Sequence, residues 1–425
     1  MKVDLAYGKT SLSVSLPDQN RVTVLTHAEP RALDTPELAV LDALERPIGS
    51  KSLREMAKGM RNACIAICDI TRPVPNKILL PPLLTILESS GVARENITIL
   101  IATGLHRPST QDELLELLGH AILDNYRVYD HNARSKEEHR YLGRSSRDIP
   151  IEIDRRYCDA DFKITVGFIE PHLMAGFSGG RKLIAPGCAS IDTIKGLHSP
   201  MFIEDAHVCE GSIEDNPLHH HLLEIADIAG HDFTLNVALN PARKITGVFA
   251  GDPRQAYKTG IDFVRHSVTS KISNPAHIVV TTAGGYPLDQ TYYQAIKGLT
   301  AALPVVAEGG MIILAAKCSE GLGSQEFSSL ATRFGSVGEF MEWIQSHPVT
   351  IDQWQLEECA KVMRKAEVVL VSEGIPKKEK EKLFVKSAES VEDALAYGIE
   401  RLGASTSIAV VPNGPYTLVD VLEKQ

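Results

Sequence analysis

"FKITVGFIEPHLMAGFSGGRKLIAPG" (Phe162 to Gly187) decides how the chain folds. Its first seven residues form a short, mostly apolar run, the pattern of a strand covered on both faces. A histidine, four glycines, an arginine and a lysine follow directly. In open α/β sheets, ligands bind just beyond the carboxyl ends of the strands. The stretch therefore predicts a buried parallel strand that delivers a polar loop to a site.

The same rhythm runs outward in both directions. Upstream, "ACIAICD" (63–69) and "ITILIATG" (97–104) read as buried strands. "PNKILLPPLLTILESSG" (75–91) and "TQDELLELLG" (110–119) have helical spacing and a glycine stop. Downstream, "HIVVTTAGGYPLD" (277–289), "GMIILAAKC" (310–318), "EVVLVS" (367–372) and "TSIAVVPNG" (406–414) continue the strands, with "QTYYQAIKGLTAAL" (290–303) as a helix. The first 26 residues read as short strands. The loop "KISNPA" (271–276) separates two βα series. The expected architecture is α/β: two α/β domains with mostly parallel sheets, residues 1–270 and 271–425, and an active-site cleft between them.

At 425 residues and 44% hydrophobic, the chain is long enough for two cored domains. A net charge of −10 argues against general affinity for nucleic acid. No basic-then-apolar leader opens the sequence, and no run of about 18 apolar residues spans a membrane. Seven cysteines, odd in number and without a Cys-x-x-Cys pair, predict a reduced, cytoplasmic protein.

Four polar clusters fall at strand ends. "DITRP" offers Asp69 and Arg72, either an anion fork or a helix-capping ion pair. "TGLHRP" exposes His106 as a candidate proton-transfer group, beside Arg107. Arg107 is a candidate contact for a second substrate carboxylate. In the long loop, His172 is a second such group, Ser178 a hydroxyl donor, and the glycines about Gly179 a backbone cradle. Lys182 lacks the spacing of a nucleoside-triphosphate loop. Beside Arg181 it is either a covalent-bond-forming amine or a solvated lysine. His198 is structural, or one protein ligand to a metal held mostly by something else. Asp289, Tyr293, Gln294 and Lys297 open a helix, with Tyr293 and Lys297 sharing a face, as do Gln294 and Lys297. His219–His221 read as solvated, Cys64 and Cys68 as core, and "PKKEKEKL" (376–383) as a charged surface helix.

In order, "DITRPVP", "TGLHRP", "EPHLMAGFSGGRKLIAPG", "GLHSP" and "DQTYYQAIKG" resemble the nickel-dependent lactate racemase family over nearly the full length. The resemblance implies a 2-hydroxyacid racemase or epimerase working by reversible hydride transfer through a 2-keto acid. It implies a nickel pincer nucleotide, a pyridinium-derived mononucleotide joined by a thioamide to Lys182, with His198 on the nickel. It implies that His106 and His172 are catalytic. Asp69, Thr71, Arg72, Ser178 and Gly179 would hold the nucleotide, and Tyr293, Gln294 and Lys297 the substrate. Trp354 would be a further aromatic near the site. Partners would be the small hydroxy acid and the cofactor-making proteins that load the enzyme. The competing classes are a non-catalytic carrier of the nickel nucleotide and a phosphate-binding hydrolase.

Overall fold

The computed structural model describes residues 1–27 and 29–422. Two six-stranded sheets organise it. The first runs in the order Ile245–Gly251, Phe233–Leu239, Phe162–Phe168, Ala63–Cys68, Ile97–Ala102, Arg127–Asp130. Only its Ile245–Gly251 edge strand is antiparallel to its neighbour. The second runs Lys386–Ala388, Glu367–Val371, Val306–Ala315, Ala276–Thr282, Ile408–Val411, Val22–Val24, and all its pairs are parallel.

The central Ala63–Cys68 strand shows why the apolar runs are uninterrupted. Ile65 and Ile67 point to one core, with the helices Pro36–Glu45 and Asn76–Ser89. Cys64 and Ala66 point to another, with Ile184, Leu197 and Ile225. Both faces are covered, so alternation disappears from the sequence.

The linear division at 270 needs correction at its start. The Val22–Val24 strand pairs with Ile408–Val411. The Lys2–Tyr7 and Thr10–Ser15 hairpin packs Leu5 and Val14 against Ile278, Val280 and Met311. The N-terminal segment thus completes the second sheet. Asp289 helps staple it there, accepting the Gly8 N–H at 2.6 Å and the Lys317 N–H at 3.2 Å. A carboxylate occupied in this way is a structural residue.

The Gln353–Lys365 helix joins the two halves. Arg364 pairs with Glu204 at 2.8 Å, and Lys361 donates to the Val208 carbonyl at 3.1 Å. Glu357, in the middle of this helix, is 0% exposed, and neither of its carboxylate oxygens meets a hydrogen-bond donor among the described residues. Burial, then the charges of Glu204 and Glu358, push its carboxyl up to about 9, against the pull of Lys361 and Arg364. A carboxyl raised on folding contributes stability that is complete below its unfolded value of about 4.3 and is lost as pH rises towards 9. Glu357→Gln removes that loss. Its melting temperature is expected to exceed wild type by about 2–5 °C at pH 9 and to match it near pH 5, as read by calorimetry. Equal melting temperatures at pH 9 would show that Glu357 already ionises without cost.

No helix among the described residues is long and apolar enough to cross a membrane.

Candidate active site

Three neighbouring parallel strands of the first sheet end at one cleft of about 740 Å³, and the second half of the chain supplies its other wall.

Asp69 follows the Ala63–Cys68 strand directly. Its Oδ1 accepts from the Thr71 backbone N–H at 3.2 Å and hydroxyl at 2.5 Å. Its Oδ2 lies 2.6 Å from His106 Nδ1. Burial pushes the Asp69 carboxyl up, but the bonds from His106 and Thr71 and the charge of Arg72 prevail and hold it below its ordinary range. This departs from the expected nucleotide contact. A buried carboxylate would repel a phosphate, and both of its oxygens are occupied. Asp69 orients His106, which the Ile97–Ala102 strand delivers through a turn at Gly104. His106 keeps Nε2 for the cleft.

His172 comes from the Phe162–Phe168 strand through a small ladder, Pro171–His172 against Gly176–Phe177. Its Nε2 lies 2.8 Å from Lys182 Nζ. Burial, then the charges of Lys182, Lys297 and Arg72, hold the imidazole well below its ordinary value. Burial, then Arg181, Arg72 and Lys297, do the same to the Lys182 amine, with only Glu170 opposing. Lys182 is therefore no solvated lysine.

His198 ends the Ile191–Leu197 helix. Its Nδ1 donates to the Ile194 carbonyl at 2.8 Å, so Nε2 carries the lone pair. Burial pushes this imidazole down to about 4. A neutral imidazole fixed through its other nitrogen is the form that ligates metals. Trp354 packs on the ring at 4.6 Å between centroids. Among the described residues no group of three or more metal-ligating side chains gathers.

The helix Tyr292–Ala302 brings Tyr293, Gln294 and Lys297 to the opposite wall. Trp354 Nε1 donates to the Tyr293 hydroxyl at 3.2 Å. The buried Gln294 Oε1 has no partner among the described residues. Burial, then Arg72, lower Lys297 to about 7, against Glu170 and Glu210. An arriving carboxylate would restore its full charge.

Several expectations change. The Ser178 hydroxyl donates to the Phe168 carbonyl at 2.9 Å and accepts the Glu170 N–H at 3.0 Å, so its one proton ties the loop and is not offered to a ligand. Gly179 lines the cleft, but at φ +83° an added Cβ would lie 2.8 Å from the Phe168 carbonyl, so the residue also serves close packing. Arg107 forks onto Glu113 at 2.6 and 2.8 Å, which occupies the guanidinium offered for a second carboxylate. His219 and His221 are buried, not solvated, because their helix packs inward; His220 is exposed. Cys68 is half-buried and lines the cleft. Sequence reading missed Glu170, which faces Arg72 at 3.8 Å, and Asp352, which lines the cleft. Neither sits in a spacing that signals chemistry.

Residues 7–209 match the family described as lactate racemase N-terminal domain, and residues 271–419 match the lactate racemase C-terminal domain. A lactate racemase of Thermoanaerobacterium thermosaccharolyticum is 34% identical over 98% of this chain and 99% of its own. One of Lactiplantibacillus plantarum is 35% identical over 97% and 98%. The solved lactate racemase apoprotein of T. thermosaccharolyticum superposes with a TM-score of 0.93, at 34% identity, over 99% of this chain and 100% of that one. A Thermotoga maritima protein, 20% identical, shares the fold at a TM-score of 0.69, over 93% of this chain and 99% of its own.

Proposed function

Because the chain belongs to the lactate racemase family and is an isomerase, we propose that it inverts C2 of lactate or a related 2-hydroxy acid, using nickel held by a pincer nucleotide on Lys182. The reading is carried by one observation: Lys182, half-buried and with its charged form disfavoured by burial and neighbouring cations, shares a single cleft with His106, His172 at 2.8 Å, and His198 with its bare Nε2.

These residues fit such a group. Lys182 offers an amine able to form an amide-type bond. His198 Nε2 offers one nitrogen to nickel. Arg72 and Thr71 would hold the phosphate, and the cleft has room for a mononucleotide and a small acid. When bound, the group supplies the acceptor and donor of a hydride, which spares the protein from removing a weakly acidic C2 proton.

The chain's own residues do the rest. Lys297, with Gln294, holds the substrate carboxylate, and Tyr293 and Trp354 wall the site. His106, aimed by Asp69, and His172 take and return the hydroxyl proton from opposite sides. Retention of the flat keto acid depends on Lys297 keeping its carboxylate. Loading would fall to cofactor-making proteins. Seven free cysteines suit a reducing compartment, the cytoplasm.

The test uses lactate deuterated at C2 in ordinary water. Protein co-produced with cofactor-making enzymes is expected to racemise it with the deuterium retained in both enantiomers. Loss of deuterium to water would mean proton abstraction at C2 and would sink the hydride reading.

A further inference from the structure

We propose that Glu210 is a positioning residue for the reaction: it ties the helix that carries Lys297 to the loop that carries His172. It thereby sets the spacing between the group that holds the substrate carboxylate and a group that moves the hydroxyl proton. The inference rests on the racemase reading of those two residues.

The tie can be followed bond by bond. His172 pairs with Gly176 across the small ladder of the first half. Gly176 forms a β-bridge with Glu210, and the Gly211 N–H donates to the Gly176 carbonyl at 3.0 Å. The fit is close: at Gly176, φ +72°, an added Cβ would fall 1.9 Å from the Ser212 carbonyl. Arg265, on the helix Gln255–Val268, holds the same segment by donating to the Gly211 carbonyl at 2.7 Å. From there Glu210 reaches the second half. Its Oε1 accepts the Thr300 hydroxyl at 2.5 Å. Thr300, 4% exposed, lies three positions after Lys297 on the helix Tyr292–Ala302, so the two share a face. His172, Glu210 and Lys297 accordingly line one cavity of about 240 Å³, which shares His172 and Lys297 with the main cleft. Arg364 and Lys361 join the halves through a different helix; the Glu210 bond lands on the helix that meets substrate.

The contact does not depend on the charge of Glu210. Burial pushes its carboxyl up to about 7, against the Thr300 hydroxyl, its own N–H, Lys361 and Lys297. An ionised carboxylate accepts the single Thr300 proton. A protonated one donates to the Thr300 oxygen, and that hydroxyl then gives its proton to the Lys297 carbonyl at 3.0 Å. The tie is kept in both states.

Spacing matters because one small molecule must satisfy both ends. A carboxylate seated on Lys297 fixes where the C2 hydroxyl falls, and its proton must reach His172 from there. A misplacement of about 1 Å can cost about a hundredfold in rate. Glu210 itself exchanges no proton with the substrate.

The experiment uses the full chain, co-produced with cofactor-making enzymes and matched for nickel content, with lactate as substrate. Thr300→Val keeps the side chain's shape and removes the hydroxyl. It is expected to lower kcat by about tenfold to a hundredfold with KM little changed, the pattern of lost alignment rather than lost binding. Thr300→Ser returns the hydroxyl and is expected to restore most of kcat. Glu210→Gln, whose amide oxygen accepts the same bond, should keep more of kcat than Glu210→Ala. Because the bond is shared, Glu210→Ala combined with Thr300→Val should lose little more than the worse single variant. Apart from activity, amide exchange across 209–212 in the unloaded full chain is expected to be at least about tenfold faster in Thr300→Val, since freeing one end of the tie loosens the segment at the other. A wild-type kcat in loaded Thr300→Val, a kcat in Thr300→Ser as low as in the valine variant, or unchanged exchange across 209–212 overturns the proposal. If the valine variant does not fold, Glu210→Ala against Glu210→Gln makes the same comparison. Failure of the racemase reading looks different: loaded wild type would racemise no 2-hydroxy acid, while the exchange result still decided the tie.

Discussion

Lys182→Ala protein, co-produced with cofactor-making enzymes, will carry no covalent adduct and no stoichiometric nickel, and its racemisation will fall to background. Intact mass, metal content and a chiral assay read the three losses together. The expectation comes from the amine itself. Lys182 lines the cleft, where burial and then the charges of Arg181, Arg72 and Lys297 push its amine well below the ordinary lysine value. That suits a nucleophile and not a charge clamp. Lys182→Arg separates the two uses. Arginine keeps a positive charge but is never deprotonated at neutral pH. A phosphate clamp would survive this change in large part, whereas an attachment point would be lost as completely as in the alanine variant. Adduct and nickel in either variant would place the attachment elsewhere.

Removing either histidine is the second large effect. His106→Ala and His172→Ala, each loaded with cofactor, are expected to lower kcat by about 10² to 10⁴, the usual worth of positioned proton transfer. Enantiomers have equal free energy, so kcat/KM must fall equally from both sides. The split between kcat and KM need not be equal. For His172→Ala, loading must be measured first, since this residue also touches Lys182 at 2.8 Å. Asp69→Asn gives the graded control. It keeps one acceptor for Thr71 or His106 but loses the charge, and roughly a tenfold to hundredfold drop is expected. Full activity in fully loaded His106→Ala would return that residue to the surface and leave one histidine to serve both faces.

Much was legible because local patterns carry it. The apolar runs at 63–68, 97–102 and 162–168 are strands with both faces covered, and such strands cannot hide in a sequence. The clusters after them had to lie together, since parallel strands of one sheet end at one edge. That reasoning located His106, His172 and Lys182 in one cleft.

Partnership was not legible. Asp69 and His106 lie 37 positions apart, and their 2.6 Å contact depends on two strands being neighbours in register. Likewise Ser178 looked like a ligand donor until the loop folded back and took its proton for Phe168. The N-terminal strands were recognised as strands, yet their membership of the second sheet depends on a pairing across nearly 400 residues. Sequence by itself determined the residue types, the strand order in time and the edge where chemistry gathers, because those follow from burial and spacing. Which polar atom meets which was decided only by the tertiary structure, because hydrogen bonds act over about 3 Å and no periodicity along the chain encodes that distance.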